Sequence, residues 1–454
     1  IKNKKLSANI KLNILKEISG SNKIPLKTKI KHASINSKEI KKNDIFFAIK
    51  GKNRDGNLFV KEAFKRGASL VVTNKTKAAS REIKVKNTLN FLTKSSSLLR
   101  ENTFSKIIAI TGSCGKTSLK ELVGKTLNKI SNTTYSSKSF NNKFGVPLSL
   151  FNLKQNDDFG IFEIGMDKKG EIDYLSKIIK PDVGVITNIS YAHAKNFKSI
   201  KQIALAKSEI IKNIKDGGSI VLNADDKFYN LHKKMVKKRK IKIFSFSLNK
   251  KNSDVYLDSI KKNKLRYKIL ININNYKKYF FINSNFENNI RNLLATILII
   301  SIFKDVRKLD KNIFYDHKTI SGRGDISKIK IFRKEFYLVD ESYNSNPLSL
   351  KSALKNFDMI KVKNSKKHLI LGDMLELGKH SKKLHVEISK SINRTSISNV
   401  NVIGKYIKET YKNLKNTKKG LVLKKNSQII DLIKNNINNN DYLMIKGSNS
   451  TGLN

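Results

Sequence analysis

Tryptophan is absent from this 454-residue chain, cysteine occurs once and proline four times. A single cysteine, Cys114, excludes a disulfide framework and a cysteine-rich zinc site, and its place inside a glycine turn suits a reducing compartment. No apolar run is long enough to span a bilayer: the most apolar stretch, residues 290–303, carries Arg291 and Asn292. The opening IKNKKLSANIKLNILKEI is lysine-rich and interrupted, so no secretory signal is expected there, nor membrane insertion, and the expected location is the cytoplasm. Acidic side chains are scarce as well, 36 against 92 Lys and Arg, for a formal net charge of +56. That excess invites a nucleic-acid reading. The lysines, however, run from end to end instead of forming a stripe or tail with interleaved aromatics, and no helix-turn-helix, RNA-recognition or zinc-finger pattern occurs. We read the charge as compositional drift toward Lys, Asn and Ile that also helps attract anionic substrates, with no nucleic-acid partner.

What remains is the composition of a soluble globular protein, too long for one core. Strand-like runs of continuous apolar character alternate with helical patterns, so the expected class is α/β with parallel sheets covered on both faces. Three units are expected: a small N-terminal α/β domain over 1–103, a central parallel-sheet domain over 104–320, and a Rossmann-like domain over 321–454. Expected strands are Asp44–Ile49 and Ser69–Thr73 in the first. The second has Lys106–Ile110, Gly160–Ile164, Asp182–Thr187 and Gly218–Leu222; the third has Phe336–Asp340, His368–Leu371, Val400–Ile403 and Tyr442–Ile445. Residues 241–282 read as a short antiparallel extension.

The most specific local feature is Ile110-Thr-Gly-Ser-Cys-Gly-Lys-Thr-Ser118. A buried strand stops at Thr111, Gly112 and Gly115 permit a tight turn, and a helix starts near Lys116. Backbone N–H groups from Ser113, Cys114 and Ser118 would then converge on phosphate oxygens, with Lys116 as a point charge and the Thr117 hydroxyl placed for Mg²⁺. Only two residues separate the glycines, where the widespread phosphate loop has four.

This T-G-x-x-G-K-T form resembles the Mur ligases and the related folylpolyglutamate synthetases, and further segments of the Mur family follow in order. Asn141–Leu148 resembles N-N-x-x-G-V-P-L, which implies a nucleotide contact from Asn142. Phe162-Glu-Ile-Gly-Met166 looks like a strand-end E-x-G, implying Glu163 as a magnesium ligand; a carboxylate at the C-terminal end of a buried strand beside a phosphate loop also suits a metal physically. Thr187-Asn-Ile-Ser-Tyr-Ala-His193 implies a second metal ligand, His193. Fourteen residues on, Lys207 stands where most of these ligases carry a carbamylated lysine. Ile290–Ala295 implies a ribose or adenine contact from Asn292, although Asn288 replaces the usual histidine. Ser321-Gly-Arg-Gly324 resembles the family hinge, with Arg323 reaching the ATP phosphates.

The last domain is similar to the branch that adds a D-alanyl-D-alanine dipeptide. Asp340-Glu-Ser-Tyr-Asn-Ser-Asn-Pro347 is close to D-D-S-Y-N-A-N-P, implying nucleotide-site roles for Asp340 and Asn344, and Leu371–Gly378 is close to L-G-D-M-x-E-L-G. The ending Lys446-Gly-Ser-Asn-Ser450 has Asn449 where arginine is usual, and Asn36 and Lys38 replace an aspartate and an arginine of the uridine side. The resemblance implies an ATP-dependent amide ligase of peptidoglycan synthesis, on which cell shape and division depend. Its substrates would be UDP-N-acetylmuramoyl-tripeptide and D-alanyl-D-alanine, with two Mg²⁺ held through Thr117, Glu163, His193 and Lys207 in a monomer. Alternatives are a neighbouring Mur-type or folylpolyglutamate-type ligase and, in a different class, a basic nucleic-acid-binding NTPase.

Overall fold

The computed structural model describes residues 10–20, 24–25, 27–75, 81–264, 266–317 and 320–453. The first nine residues of the lysine-rich opening lie outside them; its remainder forms α1 (Ile10–Ser19), which buries Leu12, Ile14 and Leu15. A four-stranded parallel sheet follows, β1 (Ala33–Ser34), β2 (Asp44–Phe47), β3 (Ala68–Thr73) and β4 (Glu82–Lys84), in sequential order. All four residues of β2 are buried, as expected of a strand covered on both faces. Helix α2 (Val60–Lys65) sits within this unit. Helix α3 (Thr88–Glu101) starts at Asn87, whose side chain accepts from the Asn90 amide, and ends in a buried anchor. Arg100, 1% exposed, reaches Asp182 at 2.7 Å and the carbonyl of Ile179 at 2.8 Å, fastening α3 to the central sheet.

That central sheet has nine strands in the order β13-β12-β11-β10-β9-β8-β5-β7-β6. The chain runs β5 (Lys106–Thr111), α4 (Lys116–Asn128), β6 (Thr133–Tyr135), α5 (Gly145–Phe151) and β7 (Phe159–Glu163). It continues through α6 (Glu171–Ile179), β8 (Val183–Ile186), α7 (Ile200–Lys207), β9 (Ser219–Asn223), α8 (Tyr229–Val236) and β10 (Lys242–Ser247). Then come β11 (Val255–Asn263), β12 (Arg266–Ile273), β13 (Tyr276–Ile282) and α9 (Glu287–Ser301). The expected antiparallel extension is shorter than residues 241–282: β10 pairs parallel with β9 over Lys242↔Ser219 to Phe246↔Asn223, and only β11, β12 and β13 pair antiparallel with one another. The chain moves from β5 outward to β6, back through β7, and then across to β8. The crevice over the C-terminal end of β5 is therefore a topological switch point, where ligands bind in sheets of this kind.

The third sheet, order β14-β15-β19-β16-β17-β18, comprises β14 (Asp325–Ile331), β15 (Lys334–Asp340), β16 (Lys367–Gly372), β17 (Asn399–Ile403), β18 (Lys419–Leu423) and β19 (Tyr442–Lys446). It is parallel except for β14, an edge strand antiparallel to β15. Its helices are α10 (Pro347–Met359), α11 (Ser381–Ile392), α12 (Lys408–Lys412) and α13 (Gln428–Asn436). Asn346 and Ser349 form a reciprocal capping box on α10 with Pro347 at its start, which fixes where the helix points its N-terminus. Leu350, Leu354 and Phe357 of α10 pack with Leu369, Leu371 and Met444 in the core of this unit. Among the described residues no helix is long and apolar enough to cross a membrane.

Candidate active site

The turn after β5 is dictated by glycine. Gly112 has φ 148°, and a Cβ there would lie 1.9 Å from Thr187 Oγ1. Gly115, at φ 79°, caps α4, whose first residue is Lys116. The first-turn amides of α4 and the positive end of its dipole make an anion site, and Lys116 Nζ, donating to the Gly112 carbonyl at 2.9 Å, lies folded over the same turn. The loop after β8 braces it: Asn188 Oδ1 accepts from the Cys114 amide at 2.9 Å, and Thr187 Oγ1 donates to the Cys114 carbonyl at 2.7 Å.

Glu163 is the last residue of β7 and only 1% exposed. Its Oε2 accepts from Thr117 Oγ1 at 2.7 Å and its Oε1 from Asn141 Nδ2 at 2.8 Å. Among the described residues no basic side chain forms an ion pair with it. A buried carboxylate beside a threonine hydroxyl, held only by neutral donors, fits a hard divalent cation such as Mg²⁺.

Lys207, at the end of α7, is 1% exposed, with no hydrogen bond or ion pair to its ammonium among the described residues. Burial, and after it the nearby Lys116, push its pKa well below the ordinary lysine value, against the smaller pull of Cys114 and Glu163. Its amine is therefore disposed to be neutral.

The C-terminal unit closes the cleft from above. Arg323 Nη2 donates to Thr117 Oγ1 at 3.0 Å, and its guanidinium lies over the Tyr343 ring, 4.2 Å from the centroid. Its Nε is buried without a partner, an orphaned donor of the kind an oxyanion satisfies. The Tyr343 hydroxyl bonds Ser139 Oγ at 2.6 Å, and Ser139 Oγ is 3.3 Å from Thr117 Oγ1, so the two domains meet around the threonine. Asn346 meets Cys114 Sγ at 3.0 Å, and burial pushes the Cys114 thiol up. Lys446, 1% exposed, pairs with Glu341 at 3.1 Å and donates to the Asn344 carbonyl at 3.0 Å.

These groups line a cleft of about 550 Å³. Of the residues expected at a site, Ser113, Cys114, Gly115, Lys116, Thr117, Ser118, Glu163, His193, Asn292, Arg323 and Asn344 border it; Gly112 and Lys207 stand behind the lining. Two expected contacts fall elsewhere. Asn142 is exposed and turned away: its Oδ1 accepts from the Phe144 and Gly145 amides, each at 3.0 Å, capping α5, and Asn141 faces the cleft in its place. Asp340 closes a turn by accepting from the Ser342 amide at 2.9 Å, and its neighbour Glu341 borders the cleft. Asn36 likewise serves its own backbone, accepting from the Lys38 amide. His385 is buried and accepts from the Met374 amide at 3.1 Å, a structural role. Asn141, Ser139, Glu341 and Tyr343 were not singled out from the sequence; for Tyr343 the signal was its place inside the D-E-S-Y-N segment. His193 has left-handed backbone at φ 55°, and its Nδ1 lies 2.8 Å from Asp167 Oδ1 and 2.6 Å from Glu376 Oε2.

Residues 29–95 match the model described as Mur ligase family, catalytic domain, residues 110–300 the Mur ligase middle domain, and residues 329–449 the Mur ligase, glutamate ligase domain. The chain is 34% identical over 430 residues to a UDP-N-acetylmuramoyl-tripeptide–D-alanyl-D-alanine ligase of Rickettsia prowazekii, covering 92% of each. It is also 34% identical to the ligase of the same name from Buchnera aphidicola of Acyrthosiphon pisum, covering 92% of this chain and 90% of that one. In fold it is similar to a crystal structure of MurF from Acinetobacter baumannii, with a TM-score of 0.81 at 24% identity over 97% of this chain and 96% of that one.

Proposed function

The chain belongs to the Mur ligase family, and from that premise we infer that it joins D-alanyl-D-alanine to UDP-N-acetylmuramoyl-tripeptide in peptidoglycan precursor synthesis. The observation that carries this is likeness along the whole length, 34% identity over 92% of both chains, to ligases named for that reaction. Ligases of this family use ATP and Mg²⁺. The finer assignments, two Mg²⁺ sites, a carbamate on Lys207 and action as a monomer, are our proposal. Burial of an unpaired amine beside Lys116 and Glu163 supports the second.

A carboxylate is a poor acyl donor, so the γ-phosphate of ATP passes first to the terminal carboxylate of the tripeptide; the dipeptide amine then attacks the acyl phosphate and phosphate leaves. Catalysis of the first step is positioning and charge stabilisation. The α4 amides and Lys116 hold the phosphates. Arg323, oriented by Tyr343, offers its unpartnered Nε to the developing charge. Glu163, the Thr117 hydroxyl, His193 and a carbamylated Lys207 would hold Mg²⁺, which neutralises phosphoryl oxygens when bound. Contacts of Tyr343 and Asn346 with the central domain keep the cleft closed, excluding water from the acyl phosphate.

Mass analysis of the nucleotide product tests this reading. With ATP, the tripeptide and D-alanyl-D-alanine, the product should gain one dipeptide less a water. Gain of a single amino acid would reassign the chain to a neighbouring ligase step.

A further inference from the structure

We propose that Glu376, carried by the C-terminal domain, is a positioning residue for His193: when the domains close it meets Nδ1, orienting the imidazole and leaving Nε2 as the ring nitrogen available to the cleft. The proposal rests on reading the cleft as that of a Mur-type ligase.

Two carboxylates from different domains converge on one nitrogen. Asp167 Oδ1 lies 2.8 Å and Glu376 Oε2 2.6 Å from His193 Nδ1, ion-pair distances at which neither oxygen is in line for a hydrogen bond, and with Nδ1 these atoms form the one set of three or more His, Cys, Asp or Glu donors gathered tightly enough to hold a metal among the described residues. Asp167 is braced within the central domain, its amide donating to Glu171 at 2.6 Å and its carbonyl accepting from Asn196 at 2.8 Å. It thus belongs to the same domain as the histidine, whereas Glu376 reaches it from the C-terminal one. Glu376 arrives on the loop between β16 and α11, in left-handed backbone at φ 62°, and faces a histidine that is itself left-handed. Non-glycine residues rarely adopt that conformation, and here one stands on each side of the same seam.

The seam is built for a fixed approach. The Lys195 amide donates to the Glu376 carbonyl at 2.8 Å, so the glutamate backbone is pinned two residues from His193. Beside it the Tyr191 and His380 rings lie 5.0 Å apart. A carboxylate on one ring nitrogen sets the tautomer and orientation of a ligating histidine, and the loss of such a partner lowers metal affinity or activity about 10–100-fold. Because one carboxylate comes from each domain, His193 has both partners only where the two domains meet. Phosphoryl transfer is thereby linked to enclosure of the substrates.

The test compares Glu376→Ala, Glu376→Gln and His193→Ala, singly and with Glu376→Ala combined with His193→Ala. Glu376→Ala should lower kcat about 10–100-fold with KM for ATP and tripeptide little changed, and Glu376→Gln, which keeps an oxygen facing Nδ1, should recover much of the loss. The combined variant should be no slower than His193→Ala alone, since one residue acts through the other. Independently of turnover, ¹⁵N NMR of His193 with a non-hydrolysable ATP analogue and tripeptide should show the Nδ1–H tautomer in the wild type, a weaker bias in Glu376→Ala, where Asp167 still faces Nδ1, and a mixture when Asp167→Ala is added. Additive losses in the combined variant, or an unchanged histidine spectrum, would overturn the proposal. A wild type that fails to ligate the dipeptide, while the tautomer signature holds, would count against the substrate reading and not against this one.

Discussion

Lys207→Met separates what this lysine does for the fold from what it does for the reaction. The side chain is 1% exposed and its ammonium has no bonded partner among the described residues, while Lys116 adds to the repulsion. Burying a lone ammonium costs several kcal/mol even after relaxation, so a neutral side chain of similar length should leave stability unchanged or raise it by about 1–3 kcal/mol. Activity should move the other way. If the neutral amine takes up CO₂, the resulting carbamate is a preorganised anion next to the metal, and loss of one such group costs on the order of 10²–10³ in kcat, about 3–4 kcal/mol. Denaturant unfolding and dipeptide-dependent phosphate release on the same preparations give both halves. Labelled bicarbonate should give a carbamate ¹³C signal in the wild type and none in Lys207→Met. A variant that unfolds earlier yet turns over at the wild-type rate would refute the reasoning on both counts.

Arg323→Lys keeps the charge but loses the planar fork that lies over Tyr343; kcat should fall about 10–100-fold with ATP affinity changed less, read from steady-state kinetics against equilibrium nucleotide binding. Arg100→Ala removes the ion-pair partner of Asp182, which keeps only the Ile107 amide, and a donor to the Ile179 carbonyl at the seam between α3 and the central sheet, and should cost about 3 kcal/mol in urea unfolding. Burial pushes His317 from 6.5 down to about 4, so the unfolded chain binds a proton across that window that the folded chain refuses. Stability should therefore be complete above pH 6.5 and decline as pH falls toward 4, by at most about 3 kcal/mol from this group. The acid limb of the stability curve should flatten in His317→Gln.

Much of the site was legible because its chemistry is written at strand ends. A strand running into Gly112-Ser-Cys-Gly115-Lys116 has few ways to fold, and Glu163 follows a continuous apolar run that had to be a buried strand. What escaped was decided by neighbours remote in sequence. Asn141 and Asn142 are identical adjacent residues, and only the need to cap α5 turns one outward and the other toward Glu163. Asp340 and Glu341 are likewise adjacent acids on opposite sides of a strand end, one spent on a turn and one on Lys446. Strand β14 alternates exposed and half-buried residues at a sheet edge, so it lacks the apolar run that revealed β5, β7 and β8. The Tyr343–Ser139 bond spans 204 residues and exists only because two domains meet.

Phosphate release from ATP, followed with UDP-N-acetylmuramoyl-tripeptide present and with D-alanyl-D-alanine added or withheld, tests the central claim most directly. The account predicts sustained release only when tripeptide and dipeptide are both present. Equal release without the dipeptide, or none under any combination, would contradict it.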